Sequence, residues 1–271
     1  MIEHPKFTIL ALLSLIFILF IVGLYDYNVI IYPNKINIRF GLKPVPLSIL
    51  IANVLFYFII YRVNIYALLI GISFLFCLIG DILLMFYIPP IEEYNNVLFL
   101  IFGGISFFIA RVIMSLSYGV YPFKNNKEQC IDMNIKKIVL FGVVIFIWTM
   151  SMCIYFPLNM NSDTIMKILI PMYFIVMGVN LSMSLFRIKG FEEETLRSQL
   201  FAVVGTVLFT ASDNLLFWNL FIYEIPYGDI ISITLYWIGM YFIMISIVRT
   251  ASVLDEKHIT NVYLPIRNNK C

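Results

Sequence analysis

Long apolar runs, broken by short polar segments, dominate the chain from end to end. Read as helices, they predict eight spans at roughly 7–25, 45–61, 65–88, 97–118, 137–157, 164–186, 198–220 and 228–249. A helix needs about 20 mostly apolar residues to cross a bilayer, and most of these runs meet that length. The first run lacks the small-residue cleavage site of a secretory signal peptide and reads as a helix. The second is the shortest and opens with Pro44 and Pro46, which suit a helix start. The pattern predicts an all-α polytopic membrane protein of about eight transmembrane helices. It forms a single domain over 1–250, followed by a polar tail over 251–271.

Composition sharpens this picture. Of 271 residues, 62% are hydrophobic and 13% charged, where a soluble domain carries about a quarter charged residues. Placed on the eight-span scheme, thirteen Lys and Arg side chains fall on the side of the amino terminus and four on the other, with Arg111 inside a span. That bias orients both termini toward the cytosol. The basic residues are spread over connecting segments, so the net charge of +2 offers no patch for nucleic acid.

Within the spans, two segments echo each other: Gly80-Asp81-Ile82-Leu83-Leu84 in the third and Ser212-Asp213-Asn214-Leu215-Leu216 in the seventh. A carboxylate in the middle of a span is expensive, so each Asp is a candidate functional group. Spans three and seven run in the same direction and lie four helices apart, as a parallel duplication of a four-helix half would place them. Facing one cavity, two such acids favour keeping one carboxyl protonated near neutral pH. Their alternative role is structural, accepting hydrogen bonds between helices or neutralising Arg111. Arg111 itself has three readings: a lipid phosphate, one of the two acids, or the membrane interface. Asn53, Tyr173, Asn180, Thr210, Asn214 and Tyr236 are polar residues at matching depths that could complete a cavity. Lys43 stands at the membrane edge, where it could meet a phosphate.

Several chemistries have no support. His4 and His258 lie in terminal segments, and Cys77, Cys130, Cys153 and Cys271 show no metal or disulfide spacing. Neither a G-x-S-x-G elbow nor a phosphate-binding glycine loop is present. No cofactor is expected, and carboxylate acid–base chemistry remains.

These residues, taken together, resemble the lysoplasmalogenase-like transmembrane family of the YhhN type. The resemblance rests on Lys43-Pro44 with Asn53, on Gly80-Asp81-Ile82-Leu83-Leu84, and on the run from Phe102 through Gly103, Gly104 and Ser106 to Ala110. It continues with Tyr173 and Met177, with Gly205-Thr206-Val207-Leu208-Phe209 leading to Ser212-Asp213, and with Tyr236. Two places depart from the family's pattern: Arg111 stands where members usually carry His, and Gly239 and Met240 where they often carry Gln. The resemblance implies hydrolysis of the 1-alkenyl (vinyl ether) bond of lysoplasmalogens, with Asp81 and Asp213 catalytic. Arg111, Lys43, Asn53, Tyr173, Asn180, Asn214 and Tyr236 would then contact the lysophospholipid. It also implies residence in the endoplasmic reticulum, among membrane lipids. A proton-coupled transporter and a non-catalytic lysolipid binder remain the alternatives.

Overall fold

The computed structural model describes residues 5–31, 42–60, 64–86, 94–125, 135–160, 164–187 and 193–263. They form eight helices: α1 (Pro5–Ile31), α2 (Val45–Ile60), α3 (Ile65–Met85), α4 (Tyr94–Asn125), α5 (Ile135–Asn159), α6 (Thr164–Arg187), α7 (Glu193–Phe221) and α8 (Gly228–Tyr263). All eight expected spans are present as helices. Within hydrocarbon every backbone amide must bond inside its own segment, and the helix meets that requirement.

Among the described residues, seven helices are long and apolar enough to cross a membrane. The exception is α2, whose 16 residues reach only about 24 Å at the helical rise. That is short of a hydrocarbon core of about 30 Å. Its start is fixed by a backbone bond from Ser48 N–H to the Pro44 carbonyl, 3.0 Å. At the other end of the chain, α8 stays helical through residues 251–263, where the sequence reads as the start of a polar tail.

The exterior differs from that of a soluble protein. Leu13, Phe146 and Ile154 are about 60% exposed, while Arg111, Asn180 and Arg187 are fully buried. An outward apolar surface around a largely apolar core that also encloses the charged groups suits lipid as the solvent.

Two helix pairs approach closely at glycines. A Cβ added at Gly205 would stand 2.6 Å from the Gly239 carbonyl oxygen, and one at Gly239 would stand 2.8 Å from that of Gly205. On the α3–α4 seam, a Cβ at Gly80 would meet the Phe107 ring at 2.7 Å. Small residues here let the backbones carrying Asp81 and Asp213 sit against α4 and α8. Polar ties complete the bundle. Asn53 on α2 donates to Ser14 on α1 at 2.9 Å, and Tyr241 on α8 donates to the Ala11 carbonyl at 3.1 Å.

Candidate active site

Asp81 lies one turn before the end of α3 and Asp213 two turns before the end of α7. Both are almost fully buried, and both line a single cavity of about 580 Å³. Its walls come from the late parts of α1, α3 and α7 and the early parts of α4, α6 and α8, so it occupies one end of the bundle. Leu84, Ile101, Phe108, Ile170, Leu216 and Phe217 make that lining largely apolar.

The two acids have unequal neighbours. Asp213 Oδ2 accepts from Arg111 Nη2 at 2.7 Å and from the Tyr173 hydroxyl at 2.8 Å. Arg111 Nη1 donates to Asn180 Oδ1 at 3.0 Å and to Thr210 Oγ1 at 3.2 Å. Its guanidinium carbon lies 3.4 Å from the centre of the Phe209 ring. Asn180 in turn donates to Ser115 Oγ at 3.2 Å. The fork therefore has one face on an aromatic ring and its ends on three acceptors. A lysine, with a single charged nitrogen, could not reproduce that arrangement.

Asp81 has a plainer setting. Its Oδ2 accepts from the Tyr236 hydroxyl at 2.9 Å, and it forms no ion pair among the described residues. Tyr236 is held edge-on to Phe107 and against Phe209, at centroid distances of 6.0 and 5.3 Å. Phe209 thus touches both halves of the site, stacking under Arg111 and bracing the tyrosine that bonds Asp81.

Helical spacing explains the assembly. Phe209, Thr210 and Asp213 stand at i, i+1 and i+4 on α7, so the first two flank Asp213 on one face. Gly104, Phe107 and Arg111 form one stripe of α4, and Tyr173, Met177 and Asn180 another on α6. Such stripes carry a polar group from the cavity wall to the buried support behind it.

Five of the nine expected site residues line the cavity: Asp81, Asp213, Lys43, Tyr173 and Tyr236. Arg111 and Asn180 stand behind the wall as the support of Asp213. Asn214 turns its amide back to the Thr210 carbonyl at 2.7 Å. Asn53 is occupied by Ser14 and by the Ile49 carbonyl, between α1 and α2. Of the readings open for Arg111, pairing with an acid is the one seen. Its full burial excludes a side chain reaching the interface. Phe209, Ser115 and Asp229 were not among the expected site residues, although Phe209 stands one turn before Asp213 in a stretch that carries the family resemblance. Among the described residues, no three His, Cys, Asp or Glu side chains cluster as a metal site.

A helical membrane bundle with two buried carboxylates over one apolar cavity defines a polytopic membrane protein with an intramembrane acid site. The model of the YhhN family matches residues 38–247, which contain every site residue named above, and the chain belongs to that family. No curated protein and no solved structure matches the chain.

Arg111 and Gly239 each have a structural use here. Arg111 neutralises Asp213, and Gly239 lies where any side chain would strike the α7 backbone.

Proposed function

We propose that the protein hydrolyses the vinyl ether bond of lysoplasmalogens, releasing a fatty aldehyde and glycerophosphocholine or glycerophosphoethanolamine. The observation that carries this reading is the inequality of two carboxylates facing one apolar cavity. Membership of the YhhN family supports it.

The chemistry needs both kinds of carboxyl. Hydrolysis begins when an acid delivers a proton to the β-carbon of the alkenyl chain, leaving an oxocarbenium ion at the ether-bearing carbon. Asp81, with a single hydroxyl donor and no ion pair, suits the protonated acid, because an apolar wall disfavours its anion. Asp213, compensated by Arg111, suits the carboxylate that faces the developing cation. Water then adds to the cationic carbon and gives up a proton to Asp213. The resulting hemiacetal breaks its bond to the glycerol oxygen, which takes the proton from Asp213, while the hemiacetal hydroxyl returns a proton to Asp81 as the aldehyde forms. The sum is one vinyl ether and one water consumed, one aldehyde and one alcohol formed. Glycosidases divide an oxocarbenium problem between two carboxyl groups in a similar way.

The apolar walls would take the alkenyl chain, with Lys43 at the phosphate. Under this proposal both termini face the cytosol and the host membrane is the endoplasmic reticulum. The test uses purified protein in detergent, where no gradient exists, and 1-alkenyl-lysophosphatidylethanolamine as substrate. Aldehyde release in heavy water, with one deuterium on the carbon next to the aldehyde carbon, is expected. Binding without aldehyde would refute the reading in favour of a carrier or sensor.

A further inference from the structure

We propose that Asp229 is a specificity residue that reads the amine of the substrate's head group, with Lys43 opposite the phosphate. The substrate's identity in this inference rests on the hydrolase reading of Asp81 and Asp213.

Asp229 lies in the first turn of α8 and lines the same cavity as Lys43 and the two buried acids. Neither Asp229 nor Lys43 forms an ion pair among the described residues. The cavity therefore carries a cation and an anion outside any contact ion pair, in addition to its buried pair of acids: Lys43, whose charge reaches Asp81, and Asp229, which accepts from Asn219. A cavity that took only an apolar chain would need neither.

Asp229 is exposed, and its carboxylate is tied to a side chain of α7. Asn219 Nδ2 donates to its Oδ1 at 2.6 Å, while Asn219 Oδ1 accepts from the Ile225 amide at 2.7 Å. The turn between α7 and α8 is shaped around that asparagine. Tyr227 adopts a left-handed φ of 59°, which a non-glycine residue takes only when the surroundings enforce it. A Cβ at Gly228 would stand 3.0 Å from Asn219 Oδ1.

The spacing fits the molecule. Tyr236, which bonds Asp81, follows Asp229 by seven residues on the same helix, an axial separation of about 10 Å. In an extended lysophospholipid the vinyl ether oxygen and the head-group nitrogen are roughly 11 Å apart. With the ether at Asp81, the ammonium falls level with Asp229. A lysolipid ending in bare phosphate would bring a second negative charge to that place and be repelled. Asp229 thus selects for ethanolamine or choline and against phosphate alone.

The test separates binding from turnover by using saturated 1-alkyl ethers, which lack the cleavable double bond. Affinities of 1-alkyl-lysophosphatidylethanolamine and 1-alkyl-lysophosphatidic acid are measured for wild type, Asp229→Asn, Asp229→Lys and Lys43→Gln. Wild type should prefer the amine-bearing lipid. Asp229→Asn should weaken that lipid about fivefold, as loss of a partly solvated ion pair implies, and leave the acid unchanged or tighter. Asp229→Lys should reverse the preference, and Lys43→Gln should weaken both lipids. An unchanged preference in both Asp229 variants, equal weakening of the two lipids by Asp229→Asn, or no binding of either lipid by wild type would overturn the proposal. A wild type that shows this preference yet releases no aldehyde from the alkenyl substrate would keep the head-group site and reject the hydrolase reading.

Discussion

Removing Arg111 should harm the protein more than removing Arg111 and Asp213 together. Arg111→Met leaves the carboxylate of Asp213 with a single donor, the Tyr173 hydroxyl. Breaking a buried ion pair from one side costs about 3–5 kcal/mol, because the remaining charge is uncompensated. Asp213→Leu strands the guanidinium in the same way, softened by Asn180, Thr210 and the Phe209 ring. The double variant Arg111→Met/Asp213→Leu removes both charges and fills similar volume. It still orphans the Asn180 and Thr210 oxygens and the Tyr173 hydroxyl, at about 1–3 kcal/mol each, but every one of these is already orphaned in one of the single variants and cancels in the comparison. The single losses would sum to roughly 6–10 kcal/mol, so the double variant should fall short of additivity by at least about 3 kcal/mol. The assay is thermal or denaturant unfolding in a fixed detergent, followed by the fluorescence of Trp148, Trp218 and Trp237. Each single variant should lower the midpoint by about 6–20 °C, and the double variant should recover a large part of that. Additive losses within about 0.5 kcal/mol would refute the coupling assigned to this pair.

Three further substitutions probe the cavity and its frame. A Cβ at Gly104 meets nothing within 4 Å, so Gly104→Phe should fold normally and fill the cavity; aldehyde release from long alkenyl chains should fall at least tenfold, by chain-length profiling. Gly239→Leu should prevent recovery of a monodisperse protein on size-exclusion chromatography, because its side chain has only the α7 backbone to enter. Asn53→Leu should lower stability by about 1–2 kcal/mol through loss of the Ser14 bond, while turnover stays within twofold.

How much of this was legible in the sequence depends on what each residue touches. The helices were, because a run of apolar residues in lipid has one backbone solution, and each of the eight runs carries one. The two acids were also visible, since a charge inside an apolar run announces itself. What the chain could not show was which groups share a wall. Asn53 and Asn180 have the same composition signal, yet one ties α1 to α2 and the other supports Arg111. The difference lies in helix rotation, which is set by contacts between distant segments. Phe209 stood out only within the stretch that carries the family resemblance, and its use depends on a ring face meeting a guanidinium from another helix. Asp229 was one acid at the start of the eighth span, and only the fold brings it to the cavity that the two buried acids line.

The most direct measurement compares aldehyde release by wild type, Asp81→Asn and Asp213→Asn, with binding of the saturated 1-alkyl analogue measured on the same samples. The account predicts that both variants bind the analogue within about threefold of wild type and lose at least about a hundredfold in turnover, the scale of a missing general acid or base. A folded Asp81→Asn or Asp213→Asn protein that binds the analogue and turns over at the wild-type rate would contradict the two-carboxylate site.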